Sequence, residues 1–418
     1  MTDGIILVPA DVRRFIEGQS ACAGRFTVRW SAPDLCGMVI AVGGQDDDLT
    51  AFPAHGHFVQ FADSGPIGRW FAGTEELTAT WKAAMGRGAA IPVESMRERL
   101  PAALLHIGPG MQYYAIVVSP SEGGTPVWTG WIVRAEDVIP VRVDVERDDE
   151  GLRTLGERWP TDLLREAHVA VIGVGSIGSA AAVAIAEHGV GSITLVDPDR
   201  LEFHNLVRHQ LGRADVGKFK APALAEFLAL NHPGLNAKAS TDDVLYHTDS
   251  VRAILRDVDL VIGATDGVVP RRTIVHIARR LQKTALLGCV LMDGEIGEIM
   301  RCRPARTHGC VQCRRGAHPG LFTLDASLEL PYGTGTEHLP MTAIGTDLEL
   351  VGRLLAKSAI ATILESAGMA DQRLAGETAI IGLRPTRPAP APYNITRSGE
   401  ARWLQADPPQ PGCPTCDP

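Results

Sequence analysis

The chain has 418 residues, comfortable for two domains and long for one. Its 45% hydrophobic and 21% charged residues describe a globular protein, and a formal net charge of −9 argues against a general nucleic-acid or membrane-surface binder. No run approaches the ~18 apolar residues of a membrane helix, and the opening MTDGIILVPADVRR has no basic segment ahead of its short apolar stretch, so a cytoplasmic protein is expected.

In chain order, residues 1–145 mix short strand-like runs (RFTVRW, GMVIAV, YYAIVVS, WTGWIVRA) with Gly, Pro and Asp punctuation, which predicts an α+β domain. The charged stretch DVERDDEGLRTLGERWPTDLLRE reads as a linker and then an amphipathic helix leading into a second domain, 146–418. There the pattern turns to strand, helix, strand. HVAVIG is a continuous apolar strand of the doubly buried kind, SIGSAAAVAIAEHGV a small-residue helix ended by Gly189, and SITLVD the next strand. KAPALAEFLALNHP is a helix closed by Pro233, VDLVIGATD a buried strand, and PRRTIVHIARRLQ a helix opened by Pro270. TALLGCVLM and GEIGEIMRC read as strands, and DLELVGRLLAKSAIATILESAG as a long helix. Residues 382–412 are Pro-rich and loop-like apart from a possible strand at ARWLQA. The fold class predicted is α/β: a Rossmann-like, doubly wound, mostly parallel sheet, with the N-terminal α+β domain appended.

GVGSIG places Gly173, Gly175 and Gly178 in a G-x-G-x-x-G spacing between a strand and a helix, with Ser176 as the first helical residue. Glycines there let the backbone turn and approach phosphates, and the helix start offers free N–H groups. Asp197 ends the next strand 19 residues beyond Gly178, near the spacing of a ribose acceptor, and Asp199 follows in the turn. A plain dinucleotide site has no need of Asn205 and Arg208 just beyond. Arg208 offers a planar cationic donor to phosphate oxygens, and Asn205 an uncharged one. Lys218 and Lys220 come next; Lys220 is the one expected near the β- and γ-phosphates, and Lys218 is expected to be solvated. Thr265 and Asp266 end a buried strand, where open α/β sheets bind ligands, and Asp266 suits Mg²⁺ unless it caps the following helix. Hydride transfer requires none of this, whereas bringing a carboxylate onto an α-phosphate does.

Eight cysteines occur, and four form two Cys-x-x-Cys pairs, Cys310/Cys313 and Cys413/Cys416. Together they can supply four thiolates to one tetrahedral zinc, provided that the fold brings the chain end back.

From about Arg153 to Cys416 these segments resemble the ThiF/MoeB and ubiquitin-activating enzyme superfamily. GVGSIGS resembles its glycine loop, DPDRLEFHNLVRH its D-x-D…N-L-x-R segment, DVGKFKA its G-x-x-K-A segment and ATDG its T-D-N; the cysteine pairs are similar to its structural zinc site. The resemblance implies that Asp197 binds ribose, that Asn205, Arg208 and Lys220 bind ATP phosphates and that Asp266 binds magnesium. It implies an adenylyltransferase that activates a carboxylate, the C-terminus of a ubiquitin-like protein or a peptide, with release of pyrophosphate. A homodimer is also implied. Two positions depart: Gly267 stands where the family has Asn, and His209 where it has Gln. No arginine among Arg147, Arg153 and Arg158 aligns with the segment that reaches a partner's site. No cysteine lies between Cys313 and Cys413, and Cys289 and Cys302 read as strand residues, so adenylation without a thioester on this chain is expected. The N-terminal domain weakly resembles a degenerate JAB/MPN fold: 63–76 lacks the zinc-binding histidine pair, and His55 and His57 have the wrong spacing. Two rival readings are an NAD-linked oxidoreductase and a non-catalytic half of an activating complex.

Overall fold

A computed structural model describes residues 4–20, 22–31, 35–44, 48–52, 67–101, 111–121, 124–147, 150–305, 307–317, 343–369 and 372–416. The chain divides into two compact units between Glu150 and Gly151. His55, His57 and the side chain of Arg153 lie outside the described residues. No helix among the described residues is long and apolar enough to cross a membrane.

Among the described residues the first unit has nine strands: β1 (Ile5–Val8), β2 (Ala23–Ser31), β3 (Cys36–Gly44), β4 (Thr50–Ala51), β5 (Ile67–Ala72), β6 (Ile91–Pro92), β7 (Gln112–Ser119), β8 (Val127–Arg134) and β9 (Asp137–Val145). β1 pairs in parallel with both β3 and β9, so seven strands close on themselves in the order β1-β3-β2-β5-β7-β8-β9. Successive side chains point to opposite faces of a strand, and here both faces are apolar. Trp70, Tyr114 and Ile116 join the core that holds Val12 and Ile16 of helix α1 (Ala10–Glu17). Phe71, Ala115 and Val117 join the one beside Leu77 of helix α2 (Glu75–Arg87). Thr74 caps α2 by accepting the Leu77 N–H, and Gly88 ends it at φ +62°. The junction from β5 to α2 carries no histidine.

The second unit starts in short pieces. Gly156, at φ +57°, and Pro160 break the charged segment, so a turn at Gly156–Arg158 and helix α3 (Thr161–Glu166) stand where one amphipathic helix was expected. Then come β10 (His168–Ile172), helix α4 (Ser176–Glu187), β11 (Ser192–Val196), helix α5 (Lys220–Asn231), β12 (Asn236–Ser240), helix α6 (Thr248–Arg256), β13 (Leu260–Gly263), helix α7 (Val268–Arg280) and β14 (Thr284–Leu291). β15 (Ile296–Cys302), helix α8 (Val311–Ala317), helix α9 (Gly345–Ser366), β16 (Thr378–Gly382) and β17 (Ala401–Leu404) follow.

The sheet order is β12-β11-β10-β13-β14-β15-β16-β17, parallel from β12 to β14 and antiparallel beyond. Along β10, Val169 and Val171 face the core of α4, α5 and α9, while Ala170 and Ile172 face that of α6 and α7. The sheet is therefore covered on both sides. The chain leaves β10 toward β11 and returns to β13 on its other side, which opens a crevice at the carboxyl ends of β10 and β13. At Gly352 of α9 a Cβ would lie 2.5 Å from the Ile177 carbonyl oxygen, so α9 and α4 approach backbone to backbone there.

Candidate nucleotide site and cysteine cluster

Three glycines shape the turn after β10 for different reasons. Gly173 has φ +81°, and a Cβ there would meet the Ala264 carbonyl oxygen at 2.8 Å. A Cβ on Gly178 would lie 1.8 Å from the Gly173 carbonyl oxygen, so this residue allows helix and strand to close up. Gly175, the N-cap of α4, has φ −68° and open space on its Cβ side. The first two are needed by the protein itself; only Gly175 borders the space left for a ligand.

Asp197, at the end of β11, is 6% exposed, and both its oxygens are engaged. Oδ2 accepts the Val174 N–H at 2.7 Å and Oδ1 the Asp199 N–H at 2.8 Å. Burial pushes its carboxyl up, opposed chiefly by Lys220. Lys220, the first residue of α5, is itself buried and donates to Asp199 Oδ2 at 2.9 Å. Lys218 is half exposed and pairs with Asp215 at 3.0 Å, away from this cluster.

Asn205 closes a turn at Phe203–Asn205, where its Oδ1 accepts the Glu202 N–H at 2.9 Å. Arg208 comes one turn later, and among the described residues its buried Nε meets no hydrogen-bond partner. Thr265 Oγ1 is in the same condition. Thr265 lies against the glycine turn, since its Cγ2 is 2.9 Å from where a Gly173 Cβ would be. Eleven other buried side-chain atoms among the described residues share that condition, so it does not by itself mark a ligand site. Asp266 is exposed, and Gly267 rather than Asp266 caps α7, at φ +81°. The carboxylate is thus left facing outward at the carboxyl edge of the sheet, compatible with a hard cation.

His209 plays a part that its spacing does not reveal. Its Nε2 lies 2.8 Å from the Val174 carbonyl oxygen and its Nδ1 accepts the Leu211 N–H at 3.0 Å. Burial pushes the imidazole down to about 4, with Lys220 and Arg208 acting in the same direction and the hydrogen bond to Val174 opposing them. The only cue in the sequence is a side chain with one donor and one acceptor next to Arg208.

The two Cys-x-x-Cys pairs, about a hundred residues apart in sequence, converge. Cys310 Sγ is 3.9 Å from Cys313 and 3.6 Å from Cys413, and Cys313 Sγ is 3.7 Å from Cys416. All four ligand atoms lie within 4.8 Å of one another. Four sulfurs set tetrahedrally at ~2.3 Å from zinc are about 3.8 Å apart, so the set fits that ion. Arg279 donates to the carbonyls of Arg303, Ala305 and His308 and so shapes the approach to Cys310. The Gly309 N–H donates to the Asp407 carbonyl at 2.8 Å, and Arg314 donates to the Asp407 carboxylate at 2.6 Å. Both contacts hold the chain end beside α8.

Of the other cysteines, Cys289 is buried on β14, and Arg271 Nη1 donates to its sulfur at 2.9 Å. Burial pushes the Cys302 thiol up to about 12, which leaves it protonated. Arg158 is exposed in the second unit. Arg147 belongs to the first unit, where it lines a cleft of about 550 Å³ with Arg13, Glu17 and Trp70.

The ThiF family matches residues 151–389. The chain is 30% identical over 215 residues to the uncharacterised protein y4oA of Sinorhizobium fredii, covering 47% of this chain and 36% of that one. It is 34% identical over 130 residues to the tRNA threonylcarbamoyladenosine dehydratase of Escherichia coli, covering 31% and 47%. It is 28% identical over 166 residues to the adenylyltransferase and sulfurtransferase UBA4 of Scheffersomyces stipitis, covering 37% of each. The chain thus spans about a third to a half of the length of these curated relatives. Among solved structures, Escherichia coli MccB crystallised with ATP is similar at 17% identity and a TM-score of 0.46, over 61% of this chain and 68% of that one.

Proposed function

Because the chain belongs to the ThiF family, we propose that it is an ATP-dependent adenylyltransferase whose substrate is a carboxylate, the C-terminus of a ubiquitin-like protein or of a peptide. The observation that carries this reading is the linked set at the turn after β10, where Asp197 holds the Val174 and Asp199 N–H groups, Asp199 holds Lys220, and Gly175 leaves open space at the start of α4. A triphosphate suits the helix start beside Gly175, and the cations Arg208 and Lys220 answer its charge.

In the reaction, a substrate carboxylate oxygen attacks the α-phosphorus and forms the acyl-phosphate bond. The bond from that phosphorus to the bridging oxygen breaks, and pyrophosphate leaves with the electron pair. A carboxylate is already ionised near neutral pH, so no general base is required. Asn205, Arg208 and Lys220 bind and orient the phosphates, and the two cations offset the charge gathering on the leaving group. Asp197 takes the ribose hydroxyls with the lone pairs that its backbone partners leave free, and Asp199 holds the Lys220 ammonium in place. Asp266 would hold Mg²⁺, which when bound neutralises phosphate charge.

The four-cysteine cluster is assigned to structural zinc. Burial of Cys289 beneath Arg271 and the raised Cys302 thiol support passing the adenylate onward without a thioester on this chain. A homodimer that completes the site across its interface belongs to the same reading. Titration calorimetry separates it from a redox site: wild-type protein should bind ATP with Mg²⁺ and should not bind NAD. Arg208→Ala should weaken ATP by at least about tenfold, through loss of charge-assisted hydrogen bonds. Tight NAD binding, with ATP indifferent to Arg208, would refute the assignment.

A further inference from the structure

Resting on the nucleotide site proposed above, we infer that His209 is a positioning residue that turns the Gly175 N–H toward the phosphates. A backbone N–H can only donate, so the Leu211 contact requires a bare Nδ1, and the ring proton sits on Nε2. That proton is donated to the Val174 carbonyl. The N–H of the same residue donates to Asp197 Oδ2. Val174 is therefore held at both its backbone groups, by two buried side chains from outside the glycine turn.

The consequence follows from peptide geometry. In a trans peptide the C=O and the next N–H point in opposite directions. His209 draws the Val174 carbonyl toward the protein, so the Gly175 N–H of that same peptide faces the other way. A Cβ at Gly175 would also meet nothing within 4 Å, so the residue borders open space. Among the described residues no acceptor meets this N–H. It lies at the start of α4, where the positive end of the helix adds to its attraction for an anion. Glutamine can supply the same donor and acceptor as this histidine tautomer; leucine fills the space and supplies neither.

The test compares His209→Gln and His209→Leu with the wild type. ATP and adenosine are titrated separately, and amide hydrogen exchange is followed over residues 172–178 without nucleotide. His209→Gln should bind ATP within about threefold of wild type. His209→Leu should lose about tenfold in ATP affinity and much less for adenosine, because only the phosphates use the Gly175 N–H. Its 172–178 amides should exchange faster than those in the rest of the second unit. Equal losses for ATP and adenosine, or unchanged ATP affinity, would overturn the role toward phosphate. Exchange unchanged in His209→Leu would overturn the clamp itself. If wild-type protein binds no ATP, the functional reading fails and the exchange comparison still decides whether His209 holds the turn.

Discussion

Gly178→Ala should destabilise the second unit by about 3 kcal/mol, whereas Gly175→Ala, three residues away, should leave stability within about 0.5 kcal/mol and abolish nucleotide binding. Helix propensity alone gives the wrong sign for the first. Alanine inside a helix is favoured over glycine by about 1 kcal/mol. Gly178 is the third residue of α4, yet its added methyl would fall 1.8 Å from the Gly173 carbonyl oxygen. Backbone lies on both sides of that contact, so relief means shifting α4 away from β10 and opening the core around Val171 and Ala181. Gly175 is the reverse case: φ is −68° and the Cβ side is empty, so the methyl harms only what would occupy that space. Thermal unfolding and ATP titration on both variants check this. A ΔΔG of 3 kcal/mol in a unit this size lowers Tm by about 6–10 °C. A stable Gly178→Ala, or a Gly175→Ala that binds ATP normally, would mean that the turn has been misread.

Removing the metal should have an effect of similar or larger size. Purified protein is expected to carry about one zinc per chain, and Cys413→Ser to carry none. Structural zinc contributes roughly 10–16 kcal/mol of apparent binding free energy in small domains. Part of that would here go into tying residues 407–416 to α8, where the Gly309 and Arg314 contacts to Asp407 also act. Without the ion, four thiols within 4.8 Å of one another cannot all ionise, since like charges that close repel. Stripping with a strong chelator should lower Tm by 10 °C or more, and restoring zinc should recover it. Metal-free protein with an unchanged Tm would show that the cluster needs no ion.

How much of this could be read in advance depended on how local the signal was. The glycine turn, β10 and α4 follow from contiguous spacing, and the long helix α9 from its apolar face. The cysteine pairs announced themselves by spacing, though only the fold brings Cys310 to Cys413 across 103 residues. Features that depend on distant partners were not legible. Asn-Ala-Lys-Ala-Ser at 236–240 alternates only alanine with polar residues, a weak strand signal in an edge strand that pairs on one side. The closure of the first sheet depends on β1 reaching both β3 and β9, a non-local pairing with no sequence mark. Charge in the 144–166 stretch suggested a helix, but Gly156 and Pro160 cut it short. For Asp266 the sequence left a helix cap open beside the magnesium reading, and the structure gives the cap position to Gly267. His209 looked like a tolerated replacement, since its role depends on where the Val174 carbonyl lies in space.

Pyrophosphate exchange into ATP tests the central claim most directly, with candidate ubiquitin-like proteins or peptides bearing a free C-terminal carboxylate supplied in turn. Exchange should depend on one such substrate, require Mg²⁺, and fall by about a hundredfold or more in Arg208→Ala and in Asp266→Ala. Exchange that proceeds unchanged in both variants would contradict the assignment of this crevice to carboxylate adenylation.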